Sequence, residues 1–243
     1  VPEYNLNKPY ELTEIYTSDI TEIISSEKKT ELLNQMWRNS CISDTYEPGS
    51  AFKIVTATAA FEHNALELNH SFYCPGYKIV ADRRIRCHKT QGHGSQNFTE
   101  AIMNSCNPAF MEIGGRTGIG EMYETFRALG LFEKTGIDLP GEASSIMHKA
   151  ENVKEVELAT ISFGQSFQIT PLQLMSAVST VVNGGTRITP HFVTEIVNNA
   201  GVTIKTVDGI GETGVVSEET SETMRGVLEK VVSEGTGHNA YVE

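Results

Sequence analysis

The chain has 243 residues, 39% hydrophobic and 21% charged, with 21 glycines and 8 prolines. This is an ordinary globular composition, which excludes a disordered or fibrous polypeptide and allows one sizeable core or two small lobes. Nineteen basic residues against 31 acidic ones leave a net charge of -12, which argues against nucleic-acid binding by phosphate neutralisation.

No apolar run reaches the roughly 18 residues that would span a bilayer, and no signal peptide opens the chain. It begins "VPEYNLNKPYE" without a methionine and reads as a piece of something longer, with any anchor or export signal upstream. Residues 1 to 18 are polar and read as loop or edge. A helical pattern follows from Ser18 to about Trp37, with an expected interruption at Ser26 and Glu27. The alanine-rich segment from Ser50 to about Ala65 reads as a helix. Tyr77 to Val80 and Arg84 to Cys87 read as a hairpin around Ala81-Asp82. A short helix is expected from Thr99 to Met103, and another from Pro108 with Asn107 as its cap. Glycines and "LFEKTGIDLPGE" suggest a long irregular section from about Gly114 to Ala150. Thr170-Pro171 then opens a strong helix, apolar nearly all round, which "NGG" at 183–185 stops. "TRITPHFVTEIV" and "GVTIKTV", joined by "NNAG", read as a β-hairpin, and Ser217 to Ser233 as an amphipathic helix. Helices in the middle with strands towards the end give an α+β class, a helical lobe packed on an antiparallel sheet.

The stretch "YEPGSAFK" holds the first candidate chemistry. Ser50 and Lys53 are three residues apart and share a helix face. A serine hydroxyl needs a base to become a nucleophile. A lysine serves only when burial or nearby positive charge keeps it neutral. Taken alone, S-x-x-K equally describes a capped helix with a solvated lysine. Pro48-Gly49 favours a sharp turn that presents the serine. "NSCNPAF" adds Ser105 and Asn107, an S-x-N set between two expected helices that can aim a hydroxyl and an amide at one spot.

With both elements in view, the chain resembles the transpeptidase domain of class B (monofunctional) penicillin-binding proteins. Serine-lysine and S-x-N are two of that fold's signature elements. The stretches "WRNSCISDTYEPGSAFKI", "GIDLPGE", "FGQSFQITPLQLMSAVSTVVNGG" and "EGTG" resemble its further landmarks in order. Within the class the chain is most similar to the sporulation-specific type. The resemblance covers nearly all of the chain and implies one transpeptidase domain over 1–243, with 50–185 as the mainly helical lobe and 186–243 as the sheet-side hairpin and helix.

It also implies roles. Ser50 attacks the penultimate carbonyl of a D-Ala-D-Ala stem peptide, with Lys53 as base. Ser105 passes the proton to the leaving D-Ala, and Asn107 holds the substrate amide and orients Lys53. Peptidoglycan stem peptides, β-lactams and a glycosyltransferase, division or sporulation protein are the implied partners. The implied location is the outer face of the cytoplasmic membrane, through an anchor outside this sequence, or the forespore intermembrane space. The family's third element, K-T-G on a strand, is expected after "EGTGHNAYVE", so the chain as written is expected to be weakly active or inactive. Lys134-Thr135-Gly136 falls too early in the order and reads as a coincidental match. Two rivals remain. A serine β-lactamase needs a water-activating glutamate motif, which does not follow Asn107. The other is a non-catalytic sensor or scaffold that binds β-lactam or peptidoglycan.

Cys74, Cys87, His88 and His93 fall close together. Two thiolates and an imidazole suit zinc but leave one ligand of four to find. Cys74 and Cys87 are expected opposite each other at the open end of the hairpin, with His93 third and His88 the candidate fourth ligand. A Cys74–Cys87 disulfide and free thiols are the alternatives. The resemblance favours zinc in a structural role, holding the loop that leads to Ser105, with no metal in the chemistry. Cys41 is expected to be buried.

Overall fold

The alanine-rich segment after Ser50 becomes the axis of the molecule. In the computed structural model, which describes residues 26–207 and 209–240, helix α3 spans Lys53–Glu62. It follows α1 (Ser26–Trp37), α2 (Ser40–Ser43) and a 3-10 turn over Gly49–Phe52. Val55, Ala57, Ala59 and Ala60 on α3 are fully buried, and their small side chains let neighbouring helices approach closely. The chain before residue 26, with the polar opening and the start of the first expected helix, lies outside the described residues. Ser26 and Glu27, expected to interrupt that helix, are themselves helical.

Four short strands follow: β1 (Ser71–Cys74), β2 (Tyr77–Val80), β3 (Arg83–Arg86) and β4 (Gly94–Asn97). β1 pairs antiparallel with β4, and β2 with β3. The hairpin falls where the alternation placed it, with Ala81 at φ +52° in its turn. Helix α4 (Phe98–Met103) starts in a capping box between Asn97 and Glu100, and α5 (Asn107–Thr117) follows at once.

The expected irregular section from Gly114 to Ala150 contains a helix, α6 (Ile119–Ala128). Its glycines had suggested loop. Gly114 instead lies inside α5, where a Cβ would stand 1.8 Å from Ser162 Oγ, so it serves close packing of helices. Gly118, at φ +81°, ends α5 and redirects the chain into α6, whose Met122, Tyr123 and Phe126 are buried.

Helix α7 (Glu155–Ile161) packs on α5, and α8 (Pro171–Val182) opens with a Thr170–Gln173 capping box. Met175 is the exposed exception on α8, which otherwise contacts α2, α3 and the last helix. The final region holds β5 (Arg187–Ile188), β6 (Glu195–Val197), β7 (Thr203–Thr206), β8 (Ile210–Glu212) and α9 (Glu218–Ser233), capped by Ser217. β6–β7 is the expected hairpin, and β5 pairs with β8. The α+β class holds, and among the described residues the antiparallel component takes the form of four two-stranded pairs. Phe52, the residue before α3, packs edge-on against Phe126 (5.0 Å) and Phe167 (4.6 Å), anchoring the turn that carries Ser50 in the core.

Candidate active site

Ser50 sits on a turn pinned from behind. Gly49 adopts φ +58°, a conformation that favours glycine, and its N–H donates to the Gly164 carbonyl at 2.9 Å. Gly164 is equally constrained, because a Cβ there would stand 2.1 Å from the Gly49 oxygen. Glu47 accepts from the Ser166 N–H at 2.9 Å, and Tyr46 bridges to Ile169. The "FGQSFQI" stretch is thus the back wall of the nucleophile turn. Ser50 itself is exposed, and the helix cap position belongs to Pro48, so the hydroxyl is not spent on capping.

Lys53, by contrast, is buried at 2% exposure. Its Nζ meets Ser50 Oγ at 3.2 Å, Ser105 Oγ at 2.9 Å, the Ser105 carbonyl at 2.7 Å and Asn107 Oδ1 at 2.8 Å. The last two oxygens only accept. A neutral amine has two N–H donors and one lone pair, so those acceptors take both protons and the lone pair is left to the serine hydroxyls. Burial pushes the Lys53 pKa down to about 8, although ionisation of Cys106 and Cys87 would pull it back up. An amine held partly neutral near physiological pH is what a general base requires.

Ser105 reaches this position through a helix end. The Ser105 N–H donates to the Ile102 carbonyl and the Cys106 N–H to that of Ala101, both at 2.9 Å, the paired bonds of a Schellman cap. The left-handed position of that cap, where glycine is usual, is occupied by Ser105 at φ +48°. This conformation turns both its carbonyl and its hydroxyl onto Lys53. Asn107, expected to cap the next helix, is instead the first residue of α5, with Cys106 at the cap position. Proline at the second position needs no N–H partner. The Asn107 amide is therefore free to face Lys53, with its Nδ2 directed to the Arg86 carbonyl at 3.5 Å.

The cysteine cluster lies directly behind this element. Donor atoms of Cys74, Cys87, His93 and Cys106 all lie within 4.8 Å of one another. Cys106, the middle residue of S-x-N, thus stands where His88 had been expected. His88 Nδ1 is 3.8 Å from Cys87 Sγ but lies outside the four-residue group. Cys87 faces Gly76 in the hairpin and Cys74 faces Gly94 across β1–β4, so the sulfurs converge from two strand pairs rather than across one hairpin. Sequence reasoning did not place Cys106 in this cluster, although a cysteine adjacent to a site residue was a signal. The three clustered thiols are free and buried, whereas Cys41 is exposed, against expectation. On the short α2 only Ile42 turns inward.

The donor set fits zinc. Three sulfurs and one imidazole are a structural zinc set, and a metal about 2.3 Å from each sulfur puts tetrahedral ligands on the order of 3.5–4 Å apart. Cys87 Sγ and His93 Nδ1 are 3.7 Å apart. Burial raises the Cys74 thiol pKa, but the N–H groups of His93 and Gly76 and the Cys106 and Cys87 thiols outweigh it, leaving a net lowering. Burial and the charges of His88, Lys89 and Lys53 lower the His93 pKa, favouring the neutral imidazole that binds metal. Burial pushes Cys106 up to about 12 in the absence of an ion. Lys134-Thr135-Gly136 is not a strand, and Thr135 donates from both its N–H and its hydroxyl to Glu142.

Residues 10–243 match the family model described as the penicillin binding protein transpeptidase domain. Stage V sporulation protein D of Bacillus subtilis is 45% identical over 85% of this chain and 32% of its own length. The peptidoglycan D,D-transpeptidase MrdA of Acinetobacter baumannii is 29% identical over 84% of this chain and 32% of its own. The chain therefore spans about a third of the length of these curated relatives. Penicillin binding protein 3 of Mycobacterium tuberculosis, solved in complex with aztreonam, superposes with a TM-score of 0.77 at 27% identity, over 84% of this chain and 47% of that one.

Proposed function

The chain belongs to the penicillin-binding protein transpeptidase family, and from that premise we propose that it carries the acylating machinery of a class B peptidoglycan D,D-transpeptidase, with Ser50 as nucleophile. Ser50 Oγ forms an ester with the penultimate D-Ala carbonyl as the amide bond to the terminal D-Ala breaks. Lys53 Nζ takes the Ser50 proton, and Ser105 Oγ, in contact with Lys53, delivers a proton to the departing amine. The amine of a second stem peptide then attacks the ester, forms the crosslink and frees Ser50. Asn107 fixes the lysine and offers its amide to the substrate backbone. A β-lactam follows the first half only. Its ring amide opens on Ser50, the amine stays tethered, and the ester persists.

The observation that carries this reading is the buried Lys53, with Ser50, Ser105 and Asn107 around one nitrogen. A capped helix with a solvated lysine would show none of these contacts. The reading includes a structural zinc ion held by Cys74, Cys87, His93 and Cys106. Bound there, it would cross-link two strand pairs to the S-x-N turn and take no part in the chemistry. Among the described residues no helix is long and apolar enough to cross a membrane. The proposed location is the outer face of the cytoplasmic membrane, a reading supported by the likeness to stage V sporulation protein D and MrdA. A role in sporulation follows the likeness to stage V sporulation protein D, with a glycosyltransferase or sporulation protein as working partner.

The test is labelling of the full-length protein with a fluorescent penicillin. The expected result is a covalent label that persists for hours and is absent from Ser50→Ala. A wild-type protein that takes no label, or a Ser50→Ala protein that keeps it, overturns the assignment.

A further inference from the structure

The "EGTG" turn, Glu234–Gly237, has no part in the machinery described above, yet it grips the S-x-N element from the far end of the sequence. Thr236 donates to the Met103 carbonyl twice, from its N–H at 3.1 Å and from its hydroxyl at 3.0 Å. Met103 ends α4, two residues before Ser105. The last carbonyls of a helix lack intrahelical partners. The Schellman bonds from Ser105 and Cys106 satisfy Ile102 and Ala101, which leaves Met103, and Thr236 takes it. The turn is pressed onto this spot. A Cβ on Gly235 would stand 2.8 Å from the Val231 oxygen and 3.2 Å from Met103 Cα, and the Gly237 N–H donates to the Val231 carbonyl at 3.0 Å.

The same segment is held from its other side. Gln96 on β4, 4% exposed, accepts from Asn104 Nδ2 at 3.3 Å. Ser105 lies between these holds and Lys53, in a backbone conformation that non-glycine residues rarely adopt. Such a conformation persists only where its surroundings over-determine it. We propose that Thr236 is a positioning residue for acylation. It fixes the Met103 carbonyl and so keeps the Ser105 carbonyl and hydroxyl turned onto Lys53, with Gln96–Asn104 as the opposing brace. This inference rests on the acyl-enzyme reading above.

The experiment compares Thr236→Val, which removes the hydroxyl at nearly constant shape, with Thr236→Ser, which keeps it, in the full-length protein. Penicillin acylation kinetics separate the dissociation constant of the initial complex from the acylation rate constant, and amide exchange is followed over residues 101–107. Thr236→Val is expected to lower the acylation rate constant roughly tenfold. The dissociation constant should stay unchanged and exchange over 101–107 should quicken, while Thr236→Ser restores most of both. A Thr236→Val protein that acylates at the wild-type rate constant overturns the proposal. So does one that merely loses active fraction while the remainder reacts normally. If the wild type takes no label, the functional reading fails by itself, and the exchange arm still judges the brace: unchanged exchange over 101–107 overturns it.

Discussion

Lys53 Nζ lies 2.8 Å from Asn107 Oδ1, a contact that occupies one of the two N–H donors of the neutral amine and so helps aim its lone pair at the serines. Replacing the amide by a carboxylate keeps the shape and adds a negative charge at the same distance. An opposite charge this close raises a lysine pKa by about 1–3 units. Asn107→Asp should therefore acylate with penicillin about 10- to 1000-fold more slowly at neutral pH and recover much of the loss in alkaline buffer. Asn107→Ala leaves no new charge, and its deficit should be independent of pH. Acylation rates of the three proteins from pH 6 to 10 distinguish these outcomes.

The wild-type profile has its own expected form. Burial lowers the Lys53 pKa to about 8, so acylation should rise with pH through that value and level off above it. The linkage runs in a fixed direction. Between about 8 and the ordinary lysine value of 10.5 the folded protein binds fewer protons than the unfolded chain, so this group makes stability rise with pH across that window. Below about 8 both states are protonated, and the burial cost, roughly 3 kcal/mol at most, is present in full. Thermal melts at pH 7.5 and 10 should show a gain in the wild type that Lys53→Met lacks. An equal gain in both would remove Lys53 as its source.

The sulfur cluster predicts a metal count. Protein purified without chelators should carry about one zinc per chain, and Cys106→Ser or His93→Ala should lose it. The variants should also melt lower, by about 2–4 °C for each kcal/mol lost in a protein of this size. Cys41, exposed and outside the group, should be the one thiol that reacts readily with a thiol reagent in the loaded protein. A metal-free protein that lacks two titratable thiols until reduced would instead indicate a Cys74–Cys87 disulfide.

The parts of this architecture legible in the sequence were the local ones. Capping residues and 3.6-residue periodicity placed α3, α8 and α9, and alternation placed the β2–β3 hairpin, because those signals act over a few neighbouring residues. Ser50 and Lys53 could be placed on one helix face by the same local signals. S-x-x-K alone also described a capped helix, however, and the S-x-N element and the ordered landmarks were needed to single the pair out. α6 was missed because Gly114 and Gly118 answer to the packing of α5 against Ser162 and to a change of chain direction, not to a loop. The fourth member of the sulfur group was missed because Cys106 approaches Cys74 and Cys87 only once α5 is docked on the strands. Nothing near Gly49 announces that Gly164 lies against it, and nothing near Met103 announces Thr236. Such contacts between distant segments are set by tertiary packing.

Ser105 gives a prediction in which stability and activity move in opposite directions. It occupies a left-handed cap position at φ +48°, where a side chain is strained by roughly 1–2 kcal/mol and glycine is not. Ser105→Gly should therefore leave the protein as stable as the wild type, or up to about 1 kcal/mol more stable, despite losing the hydroxyl's contact with Lys53. Ser105→Ala keeps the strain and should not share that gain. Both variants lose the group assigned to proton delivery, so both should acylate about 100-fold or more slowly. Denaturant unfolding beside penicillin kinetics tests the pair. If Ser105→Gly is the less stable of the two, the strained-cap account fails. If both variants acylate at the wild-type rate, the hydroxyl is not part of the relay and Lys53 must pass its proton by another route.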